Sequence, residues 1–313
     1  MRPNRKQKQR TRLRGSYSFR LGSPRGGVTS PLLNAAAAGT TTIGGDLRVH
    51  RLGFGAMRVT GKGIWGAPPD RDTAKDVLRA AVAAGVNFID TADSYGPHVS
   101  EELIAEALHP YPRDLVVATK GGLLRPGPNQ WHPDGRPQHL RAAVEGSLRR
   151  LRLQRIDLYQ MHRPDPKVPY DESIGELAEL QRAGKIRHIG VSNVTATELA
   201  AARAIVTVVS VQNRYNHEDR TSEEVLNICE RDGLAFLPWA PIGGVSPLQK
   251  AALKHVAHAY DATIAQVAIA WLLRRSPAML PIPGTGSRKH LDENIAAAAL
   301  RLSDDEFRSL TAA

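Results

Sequence analysis

Four side chains in this 313-residue chain have the types and settings to move a proton together. Asp90 and Tyr95 lie in Phe88-Ile89-Asp90-Thr91-Ala92-Asp93-Ser94-Tyr95-Gly96, Lys120 in Val116-Val117-Ala118-Thr119-Lys120-Gly121, and His162 in Leu158-Tyr159-Gln160-Met161-His162. A phenol titrates near about 10 in water, so it releases a proton at neutral pH only beside a cation that favours the phenolate. Lys120 can be that cation. Asp90 can hold the ammonium in place and keep it charged despite burial, and His162 can hydrogen-bond a substrate oxygen or relay a proton. Taken singly, these are more often a turn cap, a rim aromatic, a surface ion-pair partner and a core imidazole. Together they stand at or just after the C-terminal ends of predicted strands, the ends that meet at one mouth of a parallel α/β barrel.

The elements that would carry them alternate along the chain. Strands are predicted at 51–55, 87–90, 115–120, 156–162, 186–191, 208–212, 235–239 and 279–282, with helices at 72–84, 100–108, 137–151, 171–183, 195–205, 221–231, 263–274 and 288–300. In the fourth helix, Asp171 or Ser173 can cap the start, Ile174, Leu177, Ala178 and Leu180 make an apolar face, and Gly184 stops it in the left-handed conformation. Gly85 and Gly233 punctuate the same helix-to-strand step. Eight such units in roughly 250 residues define the fold class as α/β, a (β/α)8 TIM barrel. Thr40-Thr41-Thr42-Ile43, Gly44-Gly45 and Asp46-Leu47-Arg48-Val49 precede it as an N-terminal β-hairpin. Gly61-Lys62-Gly63-Ile64-Trp65-Gly66 satisfies G-x-G-x-x-G, but Ala67-Pro68-Pro69 follows, so no helix opens there to take a pyrophosphate. It reads as a flexible mouth loop.

Composition narrows the setting. The length and the hydrophobic content of 42% suffice for one large barrel domain or two ordinary ones, and no apolar run approaches a membrane span. Cys229 is the single cysteine, so no intrachain disulfide and no Cys-based metal cluster forms, and a reducing cytoplasm is the expected location. The net charge of +11 misleads. Residues 1–45 hold nine Lys/Arg and no acid; removing those nine from 42 leaves 33 bases against 31 acids in the body. Residues 1–39 are therefore read as a basic, disordered extension or an over-long start, with the folded domain at 40–313. A nucleic-acid or membrane-surface arm and a transit peptide are the rivals; deletion of residues 1–30 is expected to leave activity intact.

Further motifs accompany the four residues: Met161-His162-Arg163-Pro164, Gly190-Val191-Ser192-Asn193, Gln212-Asn213-Arg214-Tyr215-Asn216, and Ile282-Pro283-Gly284-Thr285 through Glu293-Asn294. In order and spacing, from about Arg51 to Leu310, the chain resembles the aldo-keto reductases. The resemblance implies an NADPH-dependent carbonyl reductase, NAD being the less expected cofactor, with Tyr95 as general acid, Lys120 and Asp90 tuning it and His162 positioning the carbonyl. It implies that Ser192, Asn193 and Gln212 hold the nicotinamide carboxamide. Trp239 stands where many relatives place a stacking Tyr. Pro241, Ile242, Gly243 and Gly244 would let backbone amides approach the pyrophosphate, and Gly284, Thr285, Ser287, Arg288, Glu293 and Asn294 would surround the adenosine, with Arg288, Lys289 and His290 suited to a 2′-phosphate. Gly284 replaces a lysine seen in other branches.

Arg51-Leu52-Gly53-Phe54-Gly55-Ala56-Met57, Trp65-Gly66-Ala67-Pro68-Pro69-Asp70-Arg71, Tyr95-Gly96-Pro97-His98-Val99 and Gly243-Gly244-Val245-Ser246-Pro247-Leu248 are similar to the bacterial pyridoxal reductase branch. That implies a polar aromatic aldehyde as the small-molecule carbonyl substrate. The mouth loops, 55–71, 121–137 and 163–170, leave an open site that Trp65 and Trp131 would line. A monomer is the favoured state, and no metal, nucleic acid or membrane is expected as a partner. A cofactor-binding, redox-sensing regulatory subunit with little turnover is the alternative.

Overall fold

A computed structural model describes residues 34–243 and 247–312; the basic extension and Gly244 lie outside them. A hairpin, β1 (Thr40–Ile43) and β2 (Leu47–His50), pairs Ile43 with Leu47 around a three-residue turn in which Gly44 and Gly45 both take positive φ. Then follow β3 (Phe54–Gly55), α1 (Arg71–Ala83), β4 (Phe88–Asp90), α2 (Val99–Leu108) and β5 (Val116–Gly121). A small antiparallel pair, β6 (Leu123–Leu124) and β7 (His132–Pro133), precedes α3 (Pro137–Leu151), β8 (Ile156–Met161), α4 (Tyr170–Arg182), β9 (Ile186–Ser192), α5 (Ala196–Arg203) and β10 (Val208–Gln212). The chain closes with α6 (Glu223–Asp232), β11 (Ala235–Phe236), α7 (Pro247–Ala259), α8 (Ile264–Arg275), α9 (Arg288–Ala296) and α10 (Asp304–Ala312).

Local chemistry accounts for the boundaries. The Asp70 carboxylate accepts from the amides of Asp72 and Thr73 at the start of α1, and Thr195 with Glu198, like Thr263 with Gln266, closes a capping box. Gly85, Gly184 and Gly233 all adopt the left-handed conformation at helix ends, as expected. The start of α4 differs: neither Asp171 nor Ser173 caps it, Pro169 being the N-cap, and the Ser173 hydroxyl instead donates to the Gly135 carbonyl at 2.7 Å.

Seven strands form one parallel sheet in the order β11-β10-β9-β8-β5-β4-β3. The eighth expected strand is not a ladder strand. Met279 bridges Phe236, the Leu280 amide donates to the Phe236 carbonyl (2.9 Å), and on the other side the Gly53 amide donates to the Pro281 carbonyl (2.9 Å). Pro281 and Pro283 have no N–H to extend the pairing, and Pro238 likewise cuts the expected 235–239 strand to two residues.

Alternation along β4, β5 and β8 sorts the interior into two levels. Phe88, Val116, Ala118 and Leu158 pack with the hairpin's Ile43, Leu47 and Val49 into one apolar cluster, while Val117 and Tyr159 join clusters with the helices. Continuing the inward parity gives Asp90, Lys120, Gln160 and His162. The alternation that fills the lower interior with hydrocarbon therefore delivers an acid, a cation, an amide and an imidazole to its upper end.

Candidate active site

Lys120 is fully buried at the upper level, and its ammonium donates to the Asp90 carboxylate (2.7 Å), the Thr91 carbonyl (2.8 Å) and the Tyr95 hydroxyl (3.4 Å). Burial disfavours the ammonium, but Asp90 and then Tyr95 outweigh it and hold the lysine above its ordinary pKa. The other Asp90 oxygen accepts from the amides of Gln212 (2.8 Å) and Gln160 (3.3 Å). Both oxygens of this buried carboxylate therefore have hydrogen-bond donors supplied by the protein.

Tyr95 departs from expectation. Burial raises its pKa, and although Lys120 pulls the other way, Asp90 and Asp93 add to the rise, so the phenol lies above rather than below its usual value. It is thus a proton-loaded donor throughout the neutral range. His162 is held well below the ordinary imidazole value by burial and then by the charges of Lys120, Arg163 and Arg125, and is neutral. Its Nδ1 lies 3.3 Å from the Ser94 hydroxyl, and its ring meets the Tyr95 ring edge-on at 5.8 Å.

These groups open onto a cavity of about 750 Å³. Of the sequence-predicted residues, Asp90, Tyr95, Trp131, His162, Ser192, Asn193, Gln212, Trp239, Pro241, Ile242, Gly243 and Gly284 line it. Asn193 takes a positive φ, donates to the His162 carbonyl and the Ser192 hydroxyl (3.0 Å each), and accepts from the Trp239 indole N–H (3.0 Å). Arg214 stands 5.6 Å from the Trp239 ring centre, so the indole is pinned at its edge and flanked by a cation. The Gly243 amide is already used, donating to the Ala240 carbonyl in a turn (3.0 Å). Gly284 and Gly55 approach so closely that a Cβ on Gly284 would stand 2.3 Å from the Gly55 carbonyl oxygen.

Other expected residues lie elsewhere. Lys120 is behind Tyr95 and does not line the cavity. Thr285, Ser287, Arg288, Glu293 and Asn294 also do not line it; Thr285 accepts from the Ser287 amide, Ser287 caps α9, and Arg288 pairs with Asp292 (3.0 Å) while Lys289 approaches Glu293 (3.8 Å). Trp65 is likewise outside the cavity wall. Its 61–66 loop, expected to be flexible, is laced: the Gly61 amide donates to the Gly66 carbonyl (3.0 Å), and no helix follows until α1.

The lacing residue, Arg125, was not anticipated from the sequence. It donates to the carbonyls of Gln130 (2.8 Å), Ser94 (2.9 Å) and Gly63 (3.1 Å), with its guanidinium 3.6 Å from the Trp131 ring centre and 5.8 Å from that of Trp65. Gln160 was missed as well, although its parity with Leu158 and His162 marks it as inward. Met57, Arg58, Leu123, Pro133, Arg163 and Ile282 complete much of the wall.

The sequence profile described as the Aldo/keto reductase family matches residues 51–313, and the chain belongs to that family of oxidoreductases acting on carbonyl and alcohol groups. Pyridoxine 4-dehydrogenase of Escherichia coli is 44% identical over 281 residues, covering 88% of this chain and 98% of its own. An uncharacterized oxidoreductase of Schizosaccharomyces pombe is 48% identical over 284 residues, covering 90% and 92%. Among solved structures, an aldo-keto reductase from Klebsiella pneumoniae in complex with NADPH is similar with a TM-score of 0.73 at 26% identity, covering 87% of this chain and 93% of that one. Its kin share the TIM-barrel fold. Among the described residues no single helix is long and apolar enough to cross a membrane, and no cluster of metal-ligating side chains occurs.

Proposed function

We propose that this protein is an NADPH-dependent reductase of aldehydes, with pyridoxal as a candidate substrate, built on a (β/α)8 barrel whose eighth strand is the proline-interrupted 279–282 segment. The observation that carries the reading is the Asp90–Lys120–Tyr95 chain of contacts ending at a cavity that His162 and an amide-rich wall share.

The wall suits a nicotinamide cofactor: the Trp239 indole is fixed for stacking on a planar ring, and Ser192 and Gln212 offer a hydroxyl and an amide to a carboxamide. When bound, the reduced nicotinamide supplies the hydride to the carbonyl carbon. Tyr95 gives its proton to the carbonyl oxygen as charge develops there, and the Lys120 ammonium, fixed by Asp90 and the Thr91 carbonyl, stabilises the phenolate left behind. His162, neutral, donates a second hydrogen bond to that oxygen and orients it. Held above its ordinary pKa by burial, Tyr95 keeps its proton at neutral pH, as a general acid must. Arg288 and Lys289, at the start of α9, would exchange their intrahelical carboxylates for a 2′-phosphate, which selects NADPH over NADH.

Tyr95→Phe removes the transferred proton and little else. It is expected to lower kcat for pyridoxal by roughly 10²–10⁴ while NADPH binding, read by fluorescence, persists. Near-wild-type turnover by this variant would overturn the assignment.

A further inference from the structure

The cavity wall carries positive charge that the protein itself leaves uncompensated. Lys120 has Asp90. Two other cations reach the His162 imidazole, Arg125 and Arg163, and both help to hold it neutral. Arg125 is buried, yet its three hydrogen bonds all go to carbonyl oxygens. Arg163 follows His162 directly, is exposed on the cavity wall, and forms no ion pair among the described residues. Arg58 also lines the cavity, and its backbone carbonyl neighbours Gly286, in the segment assigned above to the adenosine, so it is left to the cofactor in this reading.

The substrate end thus has Arg163 on its wall and Arg125 packed on the flat Trp131 ring, which meets Tyr95 at 6.3 Å and His162 at 6.5 Å edge-on, while the one carboxylate on the wall among the described residues, Asp90, is already paired with Lys120. A cation with no carboxylate partner gains from an incoming anion, and a guanidinium meets a carboxylate or phosphate through two parallel hydrogen bonds.

We infer that the preferred substrate is an anionic aromatic aldehyde, bearing a carboxylate or phosphate that Arg163 receives in the field of Arg125 while the ring lies against Trp131; this rests on the reductase reading above. A charge-assisted contact of this kind corresponds to a preference of about 10- to 100-fold over a neutral analogue of the same shape.

The test compares kcat/KM for 4-carboxybenzaldehyde with its methyl ester, and for 4-formylphenyl phosphate with 4-methoxybenzaldehyde, with NADPH at low and high salt. A preference of about tenfold or more for either anion, shrinking with salt and falling toward parity in Arg163→Gln but only partly in Arg163→Lys, is the expected result, and the arm that shows it identifies the anion. Equal rates within both pairs, or an Arg163→Gln variant that slows anion and neutral partner alike, would overturn the inference. Binding of the same four compounds by equilibrium dialysis separates this from the reductase reading. If no aldehyde turns over, that reading fails, and tight anion binding lost in Arg163→Gln still upholds the anion site, whereas equal binding of all four ends it.

Discussion

Two buried clusters of an acid, a cation and a phenol sit on opposite faces of the same strands. Inside, Asp90, Lys120 and Tyr95 join in one chain of contacts and face a cavity. On the helix side, Glu101 accepts from Thr119 (2.6 Å) and Arg150 (2.7 Å), with Asp93 and Tyr159 close by. The outer set is packed rather than open: the Tyr159 hydroxyl lies where a Cβ on Gly121 would be 2.0 Å away, and it and Asp93 Oδ1 have no hydrogen-bond partner. Residue types alone do not distinguish the two sets. What distinguishes them is strand parity, which sends Lys120 inward and Thr119 outward, and the presence of space for a reactant on one side.

The contrast is sharpest in paired tyrosine variants. Tyr95→Phe is expected to remove about 10²–10⁴ of turnover, and Tyr159→Phe to leave kcat/KM near wild type; comparable losses from both would erase the distinction drawn between the faces. Lys120→Met strands the Asp90 carboxylate in the interior and is expected to cost about 3–5 kcal/mol in urea unfolding, toward the lower bound because Gln212 and Gln160 still donate to it. Unaltered stability would refute the Lys120–Asp90 contact as a buried ion pair that the fold depends on.

Asp93 provides a pH signature for the outer cluster. Burial and then the neighbouring Glu101 raise its carboxyl well above the ordinary 3.8. The unfolded chain therefore ionises this residue first, so its contribution to stability is complete below the unfolded value and drains away as pH climbs toward the folded one. Asp93→Asn is expected to flatten the fall of Tm with rising pH across this window, and parallel Tm profiles for variant and wild type would refute the assigned direction. The smallest effect belongs to Tyr159→Phe in the thermal melt. Losing an unpartnered buried hydroxyl should stabilise by a fraction of the roughly 1–3 kcal/mol that such a group costs, and a lower Tm would indicate a hydrogen bond to that oxygen.

Much of this was legible in residue order. Helix ends were marked by Gly85, Gly184 and Gly233, and the four site residues by their places after apolar strand runs. The strand ends near Pro238 and Pro281 were overdrawn because hydrophobic pattern was weighed above the missing N–H groups. Helix α7 was not anticipated, although Leu253, Val256 and Ala257 carry helical spacing and are buried. Arg125 left no local signal: its partners come from three separate loops, so its role exists only in three dimensions. The pKa of Tyr95 was misjudged for a related reason, since a nearby ammonium is readable from the motif while the loss of water around the phenol is not.

The contact between Gly55 and Gly284 also limits which side chains these two positions can accept. A lysine at 284 would drive its first side-chain carbon into the opposing carbonyl, and a side chain on Gly55 would strike the Ile282 carbonyl at 2.6 Å. Neither position can change alone. A side chain at either position would demand a concerted backbone shift across both segments, so this edge of the cavity is fixed by backbone packing rather than by any side chain.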